Sequence, residues 1–273
     1  MQNFRTMDVY KLLKEIPSQG TKLYVMAYHE VKNVNKFLQH LKLYKERNVI
    51  LTFDDGDVSF YKNVFPIVRE FKIPTILFII TSLIDTSKPF WWDEVKYHLG
   101  EIEGEKKVWD LKKISNKSRE AFIKKLKESS KRSKLEVCQL TSEQLREMQS
   151  SGIVIGNHTH THPLLDMCIP SEIKNELLES KEFFEKNNLS GFDLFAYPNG
   201  NHNNKVESII RDEGIKYAFL FDHRINKGEK NPLKISRLRV NDSTSIWKLY
   251  LIMSGIHSNI LPIRKKIHSI LNV

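Results

Sequence analysis

The chain has 273 residues, of which 40% are apolar and 28% are charged, and its formal net charge is +10 at pH 7. These values are typical of a globular protein and exclude a disordered or collagen-like chain. The longest nearly uncharged apolar run, 75–84, has about half the length of a membrane-spanning helix.

The N-terminal sequence and the cysteine content bear on the cellular compartment. The first residues (MQNFRTMDVYKLLKEIP) show neither an uninterrupted apolar core nor a small-residue cleavage site, so we find no secretory signal. The two cysteines, Cys138 and Cys168, are too few for a disulfide framework or, alone, a zinc cage. A reducing, cytoplasmic location is the simplest interpretation.

Apolar runs of strand length alternate with helical patterns along the chain. We predict strands at Leu23–Tyr28, Val49–Phe53, Thr75–Ile80, Gly152–Gly156, Asp193–Tyr197, Lys216–Phe221 and Ile235–Val240. Most of these runs are continuously apolar, which is typical of strands buried on both faces of a parallel sheet. The alternation predicts an α/β fold, and seven strands with no obvious edge favour a closed or nearly closed barrel.

Helices are predicted between these strands. The apolar stripe of 60–71 contains Pro66, so a helix there is expected to be kinked or to begin at the proline. Thr141 and Gln144 form a capping-box pattern. Further helices are predicted at Ser171–Phe184 and at Asn203–Glu213, the second ending at Gly214.

The stretch from Trp91 to about Thr141 is too long for one crossover, and we predict an insertion into a single domain spanning 1–273, with its core at about 23–255. Within it, residues 105–136 include 12 basic and 5 acidic side chains. A solvated, lysine-rich helical surface is the simplest interpretation, and a patch that binds an anion, such as a phosphorylated lipid headgroup or nucleic acid, is the alternative. No zinc finger, RNA-binding aromatic motif or convincing helix-turn-helix accompanies the patch, so we expect no nucleic-acid partner.

Polar clusters follow three of the predicted strands. Asp54-Asp55-Gly56 follows the second strand, 157–163 (NHTHTHP) follows the fourth, and Pro198-Asn199-Gly200 follows the fifth. The carboxyl ends of parallel strands meet at one face of the fold, so these clusters are expected to share one mouth. Asp-Gly alone usually forms a turn, and an isolated His-x-x-x-His usually lies on the protein surface without a binding function.

Taken together, however, the clusters predict a metal site. One carboxylate with His158 and His162 would make a three-ligand site that leaves a position for water. A bound cation lowers the pKa of that water, and a second carboxylate nearby can accept its proton. Two neighbouring aspartates can therefore have different roles, one as a metal ligand and the other as the proton acceptor.

In their order along the chain, the motifs 52–56 (TFDDG), 158–162 (HTHTH) and 195–200 (FAYPNG) resemble the polysaccharide deacetylases of carbohydrate esterase family 4, the NodB-homology fold. Tyr28-His29, 90–94 (FWWDE) and 237–240 (RLRV) extend the resemblance over about 23–255. The FWWDE and FAYPNG variants are similar to the subgroup associated with bacterial surface-polysaccharide synthesis. The resemblance implies a distorted (β/α)7-type barrel that removes acetyl groups from N-acetylated sugars with a divalent cation, zinc first and Co²⁺, Ni²⁺ or Mn²⁺ as alternatives.

The resemblance also implies roles for particular residues. Asp54 would be the general base, and Asp55, His158 and His162 would be the metal ligands. The backbone N–H of Asn199 would help to hold the oxyanion, and Tyr197 would line the sugar pocket.

Two departures from the family pattern accompany these roles. The family often has an arginine that orients the base two residues before the motif's proline, where this chain has Ala196. The general-acid histidine usually comes from a Leu-x-x-His near the last strand. Here Leu220–His223 has that spacing but follows the sixth strand. His223 is therefore a candidate acid, and His29 is a rival for proton donation or substrate contact.

The aromatic pair Trp91 and Trp92 has two interpretations: stacking on sugar rings, or anchoring the insertion to the barrel. We predict a metal-dependent carbohydrate N-deacetylase acting on a bacterial glycan or on a soluble or lipid-phosphate-linked precursor. The basic insertion would suit peripheral contact with the anionic inner face of a membrane. The alternative is a catalytically impaired glycan-binding protein of the same fold, which the departure at Ala196 and the unassigned acid support.

Overall fold

The structure, a computed structural model, describes residues 8–14, 22–45, 47–228 and 231–257. Its strands are β1 Lys22–Tyr28, β2 Val49–Phe53, β3 Thr75–Ile79, β4 Val154–Asn157, β5 Gly191–Ala196, β6 Tyr217–Phe219, β7 Asn226–Lys227 and β8 Leu238–Arg239. Its α-helices are α1 Val9–Lys14, α2 Val34–Tyr44, α3 Phe65–Phe71, α4 Trp91–Leu99, α5 Glu101–Leu111, α6 Asn116–Ser129, α7 Ser142–Ser150, α8 Pro170–Lys186, α9 Asn204–Asp212 and α10 Ile246–Ser254. The expectation about a signal sequence falls largely on 1–7 and 15–17, which lie outside the described residues.

Six parallel strands form a curled sheet in the order β6-β5-β4-β3-β2-β1. The two-residue β7 pairs antiparallel with β1, and β8 pairs parallel with β1. The segment that contains β8 also reaches the opposite edge of the sheet, because Ile235 bridges Phe219 of β6. Residues 235–239, which we call the closing segment, therefore join both edges, and the predicted nearly closed barrel is confirmed.

Side chains of the strands alternate between two apolar layers. Val25, Ile50, Ile76 and Phe78 pack together inside the sheet, whereas their sequence neighbours face the helices. Helix α1 belongs to the inner layer, and Tyr10 donates a hydrogen bond to Asp193 Oδ1 over 2.7 Å. Both layers are apolar because every strand is covered on both faces, as the continuous apolar runs predicted.

The stretch around Pro66 contains a break in helix geometry. A π-helical turn, Phe60–Val64, runs directly into α3, which begins at Phe65 and has the proline in its first turn. Proline lacks an N–H donor, and at the start of a helix no donor is needed there. The predicted kink or helix start at Pro66 is confirmed.

The predicted basic insertion is helical. Helices α4, α5 and α6 share a small core formed by Val95, Val108, Leu111 and Ile123. Gly104 lets α5 lie against α4, because a Cβ at this position would lie 2.5 Å from Lys96 Cα. None of the helices in the described ranges combines the length and apolar character needed to cross a bilayer.

Candidate active site

The turn after β2 separates two adjacent carboxylates. Asp54 continues the extended strand, whereas Asp55 and Gly56 adopt left-handed backbone conformations with φ of 71° and 77°. A Cβ on Gly56 would lie 3.2 Å from Ile79 Cγ2, so the turn also packs closely on β3. This sharp change of direction lets the two aspartates face different partners.

Asp55 faces two histidines that follow β4. His158 Nε2 lies 3.4 Å and His162 Nε2 lies 3.6 Å from Asp55 Oδ1. One ligand atom from each of the three side chains lies within 4.8 Å of the others. The loop between the histidines is tightly wound, because Thr159 and His162 both have positive φ angles.

The chemistry of these three side chains fits a divalent cation. The ring nitrogen His158 Nδ1 lies 2.8 Å from the carbonyl oxygen of Ala196. Donation from Nδ1 to that carbonyl orients Nε2 towards Asp55, and loss of the Nε2 proton would free a lone pair there for a cation, an arrangement typical of metal-binding histidines. A carboxylate with two imidazoles is a common ligand set for zinc and related ions.

The protonation states of the ligands are compatible with this fit. Burial acts to raise the pKa of Asp55, but the hydrogen bond from His158 and the other nearby imidazoles hold it well below its usual range. Burial and then the charge of His158 lower the pKa of His162 to about 3, so this imidazole is neutral. Burial acts to lower the pKa of His158, but Asp55 and Asp54 raise it, so a cation that binds here displaces a proton.

Asp54 forms a bidentate pair with Arg237 of the closing segment. Arg237 donates from Nη1 to Oδ1 over 2.6 Å and from Nη2 to Oδ2 over 2.8 Å, and its Nε donates to the Leu220 carbonyl. Both side chains are buried. Burial acts to raise the pKa of Asp54, but the guanidinium outweighs it, and the pKa lies below its usual value. The carboxylate is therefore ionised near neutral pH.

The arginine that the family pattern places at position 196 therefore has a counterpart elsewhere in the chain. Ala196 ends β5, whereas Arg237 reaches Asp54 from the segment that closes the barrel. Arg237 belongs to the family motif 237–240 but had no predicted role. The available signal was an arginine in the middle of a predicted strand, but Ser236 and Arg239 in the same strand weaken that signal.

A cavity of about 250 Å³ opens over these groups. The barrel contributes both aspartates, both histidines, Arg237 and His29 to its wall. The insertion contributes the opposite wall, formed by Trp92, Lys96, Glu105, Val108 and Lys112. The insertion is thus part of the site, and it adds two lysines that our sequence analysis did not assign.

The two candidate acid histidines lie in different places. His29 is at the cavity rim, half exposed, with Nε2 at 4.0 Å from Asp54 Oδ2. His223 lies in a separate depression with Arg239 and Lys248, and its Nε2 is 2.9 Å from His257 Nδ1. Burial, and then His257 and Arg239, lower the pKa of His223 to about 4. Of these two candidate acids, only His29 lines the cavity that holds Asp54.

The predicted aromatic contacts lie in different places: one lines the cavity and the other two do not. Trp92 lines the cavity, with its ring edge-on to His162 at a centroid distance of 5.1 Å, whereas Trp91 packs under the guanidinium of Arg119 at 4.5 Å. Tyr197, which we expected in the wall of the sugar pocket, is fully buried instead. The structure places it in the core because its ring packs on Phe195 and its hydroxyl donates to the Leu233 carbonyl.

Asn199 and His160 complete the predicted set. Asn199 lines the cavity in a left-handed conformation, φ 56°, and its Oδ1 accepts a hydrogen bond from Lys112 Nζ over 3.2 Å. His160 lies between the two ligand histidines in sequence, but its Nδ1 is 2.9 Å from Thr81 Oγ1, outside the ligand cluster. The left-handed turns at Asp55, His162 and Asn199 thus all point to loops shaped around one cavity.

Comparison with known proteins places this geometry in context. The family model described as "Polysaccharide deacetylase" matches residues 42–218. Poly-beta-1,6-N-acetyl-D-glucosamine N-deacetylases of Staphylococcus aureus are 25% identical over 228 residues, which cover 78% of this chain and 63% of those relatives. The chain therefore spans less than two thirds of the length of these curated relatives.

Solved structures share the fold. The deacetylase PplD of Streptococcus pyogenes, in complex with acetate, superposes with a TM-score of 0.62 at 20% identity, covering 85% of this chain and 98% of that chain. IcaB from Ammonifex degensii superposes with a TM-score of 0.57 at 19% identity, covering 86% and 97%. Both likenesses extend over nearly the whole of the solved chains.

Proposed function

The chain belongs to the polysaccharide deacetylase family, and from this premise we propose that it is a metal-dependent hydrolase that removes the acetyl group from an N-acetylated amino sugar of a bacterial glycan or glycan precursor. One observation carries the proposal: a three-ligand cluster and an ionised carboxylate held by Arg237 share one cavity. A hydrolase of this kind requires both, a cation site and a free base beside it.

The ligand cluster, Asp54 and Asn199 would each have a separate role in the reaction. Asp55, His158 and His162 would hold a divalent cation, with zinc as our first choice, and the cation would supply the Lewis acidity that polarises an acetamide carbonyl and acidifies water. Asp54 accepts the proton of the attacking water, because each of its oxygens keeps an acceptor site besides the bond to Arg237. The backbone N–H of Asn199, at the cavity wall, stabilises the negative charge that develops on the carbonyl oxygen.

We assign proton donation to His29 in preference to His223. The departing amine must receive a proton inside the cavity, and a proton donor has to lie within hydrogen-bond reach of it. His29 lines that cavity and lies beside Asp54, whereas His223 is in the separate depression with His257. Trp92, beside His162, offers an aromatic face to the sugar, whereas Trp91 packs on Arg119 within the insertion.

The alternative of a glycan-binding protein without turnover loses part of its support. It rested on Ala196, which left the base without an orienting arginine, and on the unassigned acid. Arg237 supplies that guanidinium from the closing segment, and the base–arginine pair is complete.

Metal content and acetate release test the proposal together. We expect Asp54→Asn to keep about one equivalent of metal, measured by elemental analysis, and to lose activity by about 10²-fold or more on N-acetylglucosamine oligosaccharides. We expect His158→Ala to lose both metal and activity, because it removes a ligand. His160→Ala is the matched control, since its ring bonds to Thr81, and it should keep both.

Two outcomes would contradict the proposal. Full activity in Asp54→Asn would remove Asp54 from the mechanism. Failure of the wild-type protein to retain metal after incubation with zinc and dialysis would overturn the hydrolase and favour the glycan-binding alternative.

We also propose that the insertion contacts an anionic membrane surface, where a lipid-phosphate-linked substrate would reside, and that the protein is cytoplasmic. Ile102 and Trp109 are exposed on α5, and the basic excess of 105–136, which lies mainly after α5, supplies positive charge for an anionic headgroup region. Both cysteines are free thiols, in keeping with a reducing compartment. We expect tighter binding to vesicles of anionic lipid than to neutral vesicles at low salt, and equal binding would contradict the contact.

A further inference from the structure

Lys112 follows α5 and presents its ammonium group to the cavity that holds the ligand cluster. The group is partly buried, and burial lowers its pKa. Its hydrogen-bond acceptor is Asn199 Oδ1, 3.2 Å away, which is a neutral amide oxygen. A desolvated ammonium group with a neutral partner is a costly arrangement unless another group supplies negative charge.

The other lysine and the arginine that line the cavity have carboxylate partners, and so does the neighbouring surface residue Lys113. Lys96 pairs with Glu105 over 3.2 Å, Lys113 with Asp110 over 3.1 Å and Arg237 with Asp54 over 2.6 Å. Within the part of the chain that the structure describes, no carboxylate oxygen lies within 4.0 Å of Lys112 Nζ. Lys112 is therefore the cation of this wall without a carboxylate in direct contact: Asp55 and Glu105 act on it only from a distance, and its other neighbour is the Trp109 ring at 5.3 Å.

We propose that Lys112 binds an anionic group of the substrate, a carboxylate or phosphate oxyanion on the sugar that carries the acetamide or on the sugar next to it. This inference rests on the proposed function and narrows its substrate class. The charges of the cavity agree with it: Asp54 and Glu105 are matched by Arg237 and Lys96, and Asp55 belongs to a cation site. With a divalent cation bound beside Asp55, the cavity would carry a net positive charge, which attracts an anionic substrate and orients it.

The position of Lys112 also defines where the anion lies. Its hydrogen bond to Asn199 places the ammonium group beside the residue whose N–H we assign to the reacting carbonyl. An oxyanion that replaces the Asn199 amide oxygen as the acceptor would therefore lie close to the scissile acetamide. An oxyanion partner also makes a stronger, charge-assisted hydrogen bond than the amide does.

The test compares three probes of similar size on the purified, metal-containing protein: N-acetylglucosamine, N-acetylglucosamine 1-phosphate and N-acetylmuramic acid. Binding is measured by calorimetry and turnover by acetate release, for wild type, Lys112→Met, Lys112→Arg and Lys113→Met. Lys113→Met is the matched control, because it removes a neighbouring lysine that pairs with Asp110 on the exposed surface. Thermal melts establish that each variant is folded.

We expect wild type to bind at least one anionic probe about tenfold or more tightly than the neutral one, as a charge-assisted hydrogen bond predicts. The ratio should fall towards one in Lys112→Met and persist in Lys112→Arg and Lys113→Met. The anionic probe that shows the larger ratio distinguishes a phosphate from a carboxylate.

The inference is overturned if wild type shows no preference, or if the preference survives in Lys112→Met, since the cation site would then be its source. Because binding is measured apart from turnover, the two proposals fail separately. Preferential binding without acetate release would contradict the deacetylase and leave the anion site standing. Acetate release without preferential binding of an anionic probe would contradict the anion site and leave the deacetylase standing.

Discussion

Asp54 and Asp55 are neighbours in the chain, yet their carboxylates have different environments. The left-handed turn at Asp55 directs one side chain to two imidazoles and leaves the other against a guanidinium. Both carboxylates are ionised, but only Asp55 lies within the ligand cluster. Asp54 therefore keeps the acceptor capacity that a base requires.

The Arg237–Asp54 pair predicts a change in pH dependence. In Arg237→Met, burial acts on Asp54 without the opposing guanidinium, so the pKa of Asp54 rises. We expect the acid limb of kcat/KM to move to higher pH, and to move less in Arg237→Lys, which keeps the charge. Profiles of acetate release against pH measure the shift.

Stability provides the control for this experiment. Breaking a buried ion pair costs about 3–5 kcal/mol of unfolding free energy, so denaturant curves are needed for both variants. An acid limb that stays in place in a folded Arg237→Met would show that a group other than Asp54 sets it.

At the scale of elements, continuous apolar runs predicted the central strands because these strands are buried on both faces. The sequence did not reveal α2 or α10. Helix α10 exposes Trp247 and Tyr250, so it lacks the usual contrast between apolar and polar faces. Helix α2 has that contrast, with Phe37, Leu41 and Tyr44 buried on one face, but the pattern was not used in the prediction.

The meeting of Asp55, His158 and His162 was predictable because each motif follows a predicted strand. The role of Arg237 was not, because its partner Asp54 is 183 residues away and no local pattern encodes that distance. The contribution of the insertion was hidden for the same reason. Lys112 belongs to the basic run 105–136 and Lys96 precedes it, and only the packing of α5 against α4 brings both to the cavity.

Gly104 allows the close contact between α5 and α4, so we expect its substitution to displace the wall of the cavity that α5 forms. Alanine is a better helix former than glycine, so Gly104→Ala would stabilise an isolated helix. Here its Cβ would meet Lys96 Cα at 2.5 Å, and α5 must move away from α4. We expect destabilisation of roughly 1–3 kcal/mol in chemical denaturation.

The same shift should lower activity without loss of metal, because Val108 and Lys112 lie on the displaced face while the metal ligands belong to the barrel. Glu103→Ala, on the exposed side of α5, is the control and should leave both quantities unchanged. A stabilised Gly104→Ala would mean that the two helices are not held in this contact.

At the scale of the whole molecule, the site joins distant parts of the barrel. The ligands come from the ends of β2 and β4, on either side of β3. Arg237 comes from the closing segment, which bridges β6 and β1. Because these groups meet only when the sheet has curled and closed, binding at the ligand cluster is coupled to folding of the barrel.

This coupling predicts that removal of metal lowers thermal stability. A ligand that binds only the folded state at 100 times its Kd stabilises it by about 2.7 kcal/mol. For a chain of this size, that corresponds to a fall in Tm of roughly 5–10 °C on chelation. The increment should shrink as pH falls, because Asp55 and Asp54 raise the pKa of His158 against the effect of burial and protons then compete with the cation. Thermal melts with zinc and with chelator measure this increment in wild type, His158→Ala and His160→Ala. His160→Ala is the control and should respond as wild type does. A metal-dependent shift in Tm that persists in His158→Ala would place the cation elsewhere.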